Sequence, residues 1–271
     1  MTRGQLNPER LNLDKWQMHL ALEDAKIPQV NLPDTVLLHN FKDMYIRRHR
    51  TWYVKPVNTW GGHQIAKIDR RETDWSFQPQ GGRTELYRSP LRLLNRVRQQ
   101  YDPLATILQQ GAPVTNLNGR PFDIRVLCQR GDDNQWLIAG SLARVGRKDS
   151  IVSNIGTGHG EVFAVDSLLS QLYQNKSVRS RIKHTLDDIS NAICSMLDGY
   201  WQFEEVGLDL GLTAKGSVWL FEVNTNDTWG GPSHELFMHL PDKSIYEAIE
   251  ARADKRRRRW LAELMKEIID H

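Results

Sequence analysis

The stretch EEVGLDLGLTAKGSVWLFEVNTN, residues 204–226, decides the fold of this chain. Two apolar runs, at residues 206–212 and 217–223, lie on either side of a polar break, TAKG at residues 213–216. Apolar runs of this length joined by a polar segment that contains glycine are typical of paired strands. The sequence therefore predicts a β-hairpin whose turn is centred within the break.

Three side chains that carry oxygen would converge at the open end of this hairpin. A turn centred in the break places Asp209 opposite Glu222, and Asn224 shares a face with Glu222 because side chains alternate along a strand. Such a group is costly to bury unless a cation neutralises it, and Mg²⁺ prefers oxygen ligands completed by phosphate and water. The hairpin alone leaves two interpretations open, a magnesium site and a pair of strand-end carboxylates in solvent.

Composition narrows the class of protein before any motif does. The chain has 271 residues and a net charge of +3, long enough for one large domain or two lobes with a sizeable core. We find neither an apolar run of membrane-spanning length nor an apolar signal core at the N-terminus, which predicts a cytoplasmic protein with no membrane partner. Cys128 and Cys194 lie in apolar contexts that favour structural thiols. The basic run at residues 255–259 is balanced by nearby acidic residues, which favours a solvated helix face over a nucleic-acid footprint.

Periodicity predicts the elements of a mixed α and β chain. Helices are predicted at residues 13–25, 41–49, 90–100, 178–197 and 244–269, and strands at 35–38, 51–54, 64–68, 105–110, 122–128 and 135–145. Apart from its helix, the segment 70–103 is interpreted as irregular, solvent-facing packing. The last helix is predicted to bury Ile245, Ile249, Trp260, Leu261, Leu264 and Ile268.

Two further patterns point to an anionic ligand, each with a plainer alternative. Lys55 follows a buried strand and precedes Gly61 and Gly62, so this hairpin could close its backbone N–H groups over phosphates or be an ordinary turn. Arg125 and Arg144 come from neighbouring predicted strands, and the arginine fork fits phosphate or carboxylate. Considered alone, these two strands favour a cross-strand ion pair between aspartate and arginine.

In their order along the chain these features resemble the YheC/YheD-type ATP-grasp family, described as endospore coat-associated. The motifs that carry the resemblance are DKW at residues 14–16, LPDT at 32–35, YVKPVN at 53–58, QQG at 109–111, NGRPFDIRV at 118–126, AR at 143–144, GLD at 207–209 and WLFEVN at 219–224. The block at 118–126 and the set of Asp209, Glu222 and Asn224 are the most specific parts.

The resemblance implies an α+β ATP-grasp fold, in which two α+β lobes clamp ATP. It implies an N-terminal extension at residues 1–12, a smaller nucleotide-lid lobe at about 35–108, a larger metal-binding lobe at about 109–240 and a C-terminal helix at 243–270, all but the extension within an ATP-grasp domain at 13–271. Because only about a dozen residues precede the first motif, most of the domain that precedes this fold in many ATP-grasp ligases is expected to be missing.

The resemblance also assigns roles by position. The residues expected to bind ATP are Lys15 and Lys55 at the phosphates, Trp60, Gly61, Gly62 and His63 in a phosphate lid, Gln109, Gln110 and Ala112 at the adenine, and Asp123 towards the ribose. Arg125 and Arg144 are expected to face the transferred phosphoryl group. Asp209, Glu222 and Asn224 are expected to hold magnesium, with two ions as in the family.

The implied activity is that of an ATP- and Mg²⁺-dependent carboxylate–amine ligase that activates a carboxylate as an acyl phosphate. The expected acceptor is an amino acid or a peptide, free or supplied by a partner protein, in a cytoplasmic and spore-associated setting. Two alternatives remain open at this stage: an ATP-binding spore-coat scaffold without turnover, and a phosphoryl transferase that uses the same ATP site.

Overall fold

The fold consists of two six-stranded β-sheets and the helices that cover them. The computed structural model describes residues 14–59, 64–101, 105–148, 150–153, 155, 159–225 and 232–269. None of the helices in these ranges combines the length and the hydropathy that a membrane span requires.

The first sheet, here called the hairpin sheet, contains the predicted hairpin at its centre. Its strands are β1 (Val30–Asn31), β8 (Phe122–Arg130), β9 (Trp136–Val145), β10 (Glu161–Phe163), β11 (Glu205–Leu212) and β12 (Val218–Asn224). They lie in the order β1-β12-β11-β8-β9-β10. All neighbours are antiparallel except β1, which joins the edge of β12 in parallel.

The hairpin has the predicted register at the end that matters for the site. Asp209 pairs with Glu222, and Gly216 takes a positive φ of 81° in the turn. Beyond Asp209 a β-bulge shifts the pairing by one residue, so that Leu210 faces Leu220. The bulge increases the local twist of the hairpin strands next to Asp209 and Glu222.

The second sheet, here called the lysine sheet because it carries Lys55, is antiparallel throughout. Its strands are β2 (Thr35–Leu37), β3 (Thr51–Pro56), β4 (Ala66–Arg70), β5 (Trp75–Pro79), β6 (Glu85–Tyr87) and β7 (Thr106–Gln110), in the order β2-β7-β3-β4-β5-β6. The irregular interpretation of residues 70–103 is therefore wrong. Trp75 and Phe77 alternate with polar residues on β5 and are buried in the core, but the strand is too short for that alternation to stand out.

Six α-helices are described, together with short 3₁₀ segments. They are α1 (Lys15–Ala25), α2 (Pro90–Tyr101), α3 (Val165–Leu172), α4 (Lys176–Leu197), α5 (Pro232–Glu235) and α6 (Lys243–Ile269). α1 begins where the Asp14 carboxylate accepts hydrogen bonds from the backbone N–H groups of Trp16 and Gln17. The helix predicted at 41–49 is wrong in type, because only a 3₁₀ segment, Asp43–Arg47, forms and no side chain caps it.

Each sheet buries one face against a helix. On the hairpin sheet, Ile124, Val126 and Leu208 pack in one core with Ile189 and Ile193 of α4. Burying each such side chain contributes about 1.5–3 kcal/mol. The second core lies between the lysine sheet and α2. Cys128 and Cys194 are buried in the first core, and both are free thiols as predicted.

The opposite face of the hairpin sheet is divided between an apolar end and a polar end. Leu127 and Leu142 pack against Phe237 and Ile249, which brings α6 across the apolar end. The polar end is left for the candidate site.

The burial predicted for α6 is only partly correct. Ile249 is fully buried, whereas Leu261 and Ile268 are 51% and 65% exposed. The basic run pairs with carboxylates: Lys255 with Asp132, Arg256 with Glu205, Arg257 with Glu250 and Asp254, Arg258 with Asp254, and Arg259 with Glu204. Arg256 is buried, so the interpretation as a solvated face does not extend to it.

Candidate functional site

A narrow cleft separates α1 and the lysine sheet from the open end of the hairpin. Its walls include four of the predicted site residues: Lys15, Lys55, Gln109 and Glu222. The free space is about 40 Å³, far less than the roughly 300–1,000 Å³ of typical ligand pockets. The cleft is therefore closed to a ligand of that size in this structure.

Lys15 closes the cleft on one side. It is the first residue of α1, and its ammonium group lies 3.2 Å from the Glu222 carboxylate. The same group donates a hydrogen bond to the backbone carbonyl of Thr59, which follows the lysine sheet strand β3. α1 thus links the hairpin to the end of β3 through one cation.

Lys55 approaches the same space from β3. Its ammonium group donates to the Gln109 side-chain oxygen, and the Gln109 amide in turn lies 3.4 Å from the Thr35 hydroxyl. Burial lowers the pKa of Lys55 to about 8, and the positive charge of Lys15 acts in the same direction while Glu222 opposes both. A partly buried cation that no carboxylate of the described residues contacts directly is well suited to an incoming anion.

Two buried arginines connect three strands on the polar face of the hairpin sheet. Arg144 forms two hydrogen bonds with Asp123, at 2.7 and 2.6 Å, and also lies 2.9 Å from Asp209. Arg125 forms two with Asp209, at 2.5 and 3.1 Å. These are cross-strand neighbours, so the ion-pair interpretation is confirmed.

The ion pairs set the charge state of the cluster. Burial alone would raise the pKa of Asp209, but the Arg125 and Arg144 guanidinium groups outweigh it and hold that pKa below its ordinary value. Burial likewise opposes the charge on Arg144, yet Asp123 and Asp209 raise its pKa. Asp209 and Arg144 are therefore charged near neutral pH. The roles predicted for this cluster towards the phosphoryl group and the ribose remain predictions.

A glycine makes room for one of the arginines. A Cβ atom at Gly207 would stand 2.8 Å from Nη1 of Arg125, so no larger residue fits while the guanidinium lies there. The same Nη1 donates to the Ser233 hydroxyl, 3.2 Å away at the start of α5. Neither contact could be read from the hairpin alone.

The three predicted magnesium ligands stand together on one sheet face. Asp209 pairs with Glu222 and Gly207 with Asn224, and the Asn224 side-chain nitrogen is buried without a hydrogen-bond partner among the described residues. No group of three histidine, cysteine or carboxylate side chains suited to a metal occurs in the described ranges. Two carboxylates and an amide nevertheless fit Mg²⁺, which completes its shell with water and phosphate.

The remaining predicted residues are less central or lie outside the described ranges. Gln110 is turned away from Gln109, and its side-chain oxygen accepts from the Asp34 backbone N–H at 3.0 Å. Ala112 lies in the connector after β7, where its carbonyl accepts from the Val114 N–H. The lid predicted from Trp60, Gly61, Gly62 and His63 falls outside the described residues.

The sequence analysis missed a buried polar network behind the site. His234 contacts Glu205 through Nε2 and Glu250 through Nδ1, each at 2.6 Å. Glu205 also accepts from Arg256 at 2.6 Å and from Gln129 at 2.7 Å. The network joins β8, β11, α5 and α6, and no local pattern marks it because its members come from distant segments.

We expect the stability of the protein to fall at alkaline pH through His234. Burial lowers the pKa of His234, but the hydrogen bonds and charges of Glu205 and Glu250 outweigh burial and raise that pKa above 6.5. The stabilisation is therefore complete below pH 6.5 and is lost as the pH rises through the raised pKa. Urea unfolding at a series of pH values measures this.

A variant isolates the contribution of His234. His234→Gln should be less stable than the wild type at acidic pH, and the difference should shrink at alkaline pH. A difference that stays constant across the series would contradict the assignment.

The fold and the cleft together define an ATP-grasp protein. Among solved structures, D-cycloserine synthetase DcsG is similar with a TM-score of 0.52 and 14% identity, over 90% of this chain and 70% of that one. At this identity the likeness shows the fold alone.

Sequence comparison then gives the family. The chain belongs to the YheC/D-like ATP-grasp family, whose profile matches residues 5–253. The endospore coat-associated protein YheD of Bacillus subtilis (strain 168) is 22% identical over 232 residues, which are 83% of this chain and 49% of YheD. YheC of the same organism is 21% identical over 225 residues, 78% of this chain and 59% of YheC. The chain thus spans about half of the first relative and about three fifths of the second.

Proposed function

We propose that the protein is an ATP- and Mg²⁺-dependent ligase that joins a carboxylate to an amine, with an amino acid or a peptide as acceptor. The observation that carries the proposal is the cleft itself, where Lys15, Lys55 and Gln109 meet Glu222. In this proposal the lysine sheet belongs to a smaller lobe at about 35–108, and the hairpin sheet to a larger one at about 109–240.

Charge favours a polyanion in this cleft. In its walls Lys15 and Lys55 supply two positive charges beside one carboxylate, Glu222. The neighbouring cluster of Arg125 and Arg144 with Asp123 and Asp209 adds equal numbers of each sign. The excess of one positive charge attracts a triphosphate, and water-poor surroundings strengthen each contact. Lys55 and Lys15 would bind phosphate oxygens, and Gln109 would orient the base.

Asp209, Glu222 and Asn224 would hold Mg²⁺. The metal would neutralise phosphate oxygens and orient the terminal phosphate. Arg125 and Arg144 would stabilise the negative charge that develops on the phosphoryl group during its transfer. The reaction requires no protein nucleophile, because positioning and charge stabilisation suffice.

The proposed reaction has two steps. A carboxylate oxygen attacks the terminal phosphorus as the bond to ADP breaks, which produces an acyl phosphate. The amine then attacks the acyl carbon, phosphate leaves, and the nitrogen loses a proton to give the amide. The names of the two relatives support a spore-associated place of action. The acceptor would be either a free molecule or part of a partner protein.

Nucleotide binding tests the proposal through Lys55. Because the pKa of Lys55 is about 8, its ammonium group loses a proton, and with it the positive charge, in mildly alkaline solution. We expect the affinity for ATP with Mg²⁺ to fall by about tenfold between about pH 7 and about pH 9, as the protonated fraction of Lys55 falls. Isothermal titration calorimetry measures the affinity.

A matched variant separates Lys55 from other titrating groups. Lys55→Arg keeps its charge throughout this range, so its affinity should change little with pH. A wild-type profile as flat as that of Lys55→Arg, or no ATP binding at millimolar Mg²⁺, would contradict the assignment.

Turnover requires a separate assay. We expect ADP release that depends on both an amine pool and a carboxylate pool. ATP binding without such release would instead support the scaffold, and a stable phosphorylated product would support the phosphoryl transferase.

A further inference from the structure

Two arginine-rich segments meet at the end of the lysine sheet that is remote from Lys55. The first is RRHR at residues 47–50, and the second is the pair Arg70 and Arg71. The pairing of β3 with β4 joins them, since the Arg70 backbone N–H donates to the Arg50 carbonyl at 2.7 Å. Cations that are distant in sequence thus share one surface.

These segments border a groove of about 470 Å³ on the sheet face opposite the core. Four cationic side chains line it: Arg50, Lys67, Arg70 and Arg71. The hydroxyl groups of residues 51 and 76 lie between them, because these positions face each other across β4. The groove is larger than the cleft and much richer in basic groups.

The Asp69 carboxylate also lines the groove, but it leaves most of the positive charge of the four cationic side chains uncompensated. Asp69 accepts from the Thr51 hydroxyl at 2.6 Å and pairs with Lys67 at 2.7 Å. Among the described residues Arg71 pairs with Asp74 at 3.5 Å, and its side chain is 56% exposed. Arg50 is exposed and has no ion pair among the described residues.

The aromatic side chains of this region distinguish between two kinds of polyanion. Trp75 is buried and covered by Arg47, and the Tyr45 ring is covered by Arg48 at 4.0 Å. Single-stranded nucleic acid gains much of its affinity from stacking on open rings, and neither ring is open here. Carboxylates spaced along a peptide need only the cations of the groove.

We propose that this groove, lined by Arg50, Lys67, Arg70 and Arg71, binds a carboxylate-rich peptide segment. Thr51 of the groove and Lys55 of the cleft lie on the same face of the sheet, four residues apart on β3, about 13 Å along the strand. Peptide binding is expected in the absence of ATP.

The test uses the full chain and a fluorescein-labelled hexaglutamate peptide, with binding followed by fluorescence anisotropy. We expect binding that weakens as salt is raised, because exposed charges are screened. Arg50→Gln combined with Arg71→Gln should lower the affinity by about fivefold, as expected for two exposed ion pairs. Both side chains are exposed, so the fold should be unaffected.

Two control variants and one competing probe make the outcome decisive. Arg92→Gln combined with Arg181→Gln removes two exposed arginines elsewhere and should leave binding unchanged. Lys55→Met should also leave it unchanged, since a loss there would place the peptide in the cleft and overturn the proposal. No binding at millimolar peptide, an equal loss in the arginine control, or tighter binding of hexauridylate would overturn it as well.

Discussion

Replacing Arg144 by methionine (Arg144→Met) is expected to lower the free energy of unfolding by about 3–5 kcal/mol, the cost of leaving a buried charge unpaired. Arg144 is 3% exposed and contacts both Asp123 and Asp209, which are 4% and 5% exposed. Within the described part of the chain, Asp123 would keep the Ser153 hydroxyl as a hydrogen-bond donor, at 2.6 Å. A neutral side chain of similar length fills the space but leaves that buried carboxylate without its arginine partner.

Denaturant unfolding monitored by circular dichroism measures this loss. Lys183→Met is the matched control, because Lys183 pairs with Asp166 at 2.9 Å but both side chains are more than half exposed. Removing an exposed pair costs at most about 1 kcal/mol. If the two variants lost the same stability, the Arg144 cluster would not be the buried network described above.

The second large effect concerns Glu222. Glu222→Gln is expected to lower Mg²⁺-dependent ADP release by about 10²–10³-fold, the size of effect that follows loss of a group that stabilises transition-state charge. Glutamine keeps the shape but removes the charge that both Lys15 and the proposed Mg²⁺ require. Release of ADP at saturating ATP measures the effect.

A second measurement does not depend on turnover. The melting temperature of the wild type should rise when Mg²⁺ and ATP are added together, and Glu222→Gln should lose most of that rise. Glu161→Gln, an exposed carboxylate paired with Arg120, is the control for loss of one negative charge. A Glu222→Gln protein as active as this control would remove the hairpin from the proposed mechanism.

The hairpin shows what local pattern predicts well. The pairing of Asp209 with Glu222 follows from strand alternation and one glycine-containing turn, both of which lie within a short stretch. The bulge after Asp209 was not predicted, because it depends on how the twisted sheet packs and not on the turn. Local rules therefore predicted which acidic residues meet but not the register beyond them.

The contacts of the candidate site likewise include some that local patterns predicted and others that they did not. The neighbouring strands predicted a cross-strand ion pair between aspartate and arginine, which the structure forms from Asp123 and Arg144. The cleft that joins Lys15 to Glu222 was expected only from family resemblance. The contacts of His234 with Glu205 and Glu250 were not predicted at all, because they join three segments without a shared period. Exposure of Leu261 was also missed, since helical periodicity shows a face but not whether anything covers it.

The parallel pairing of β1 with β12 has a consequence for biosynthesis. Val30 pairs with Val218, so this edge of the sheet is sealed only after most of the chain has left the ribosome. Contacts between segments so far apart slow folding, and an edge strand left unpaired in the meantime is a template for aggregation. Expression of chains truncated before residue 218 should therefore yield mainly insoluble material, even though every strand of the lysine sheet would be present.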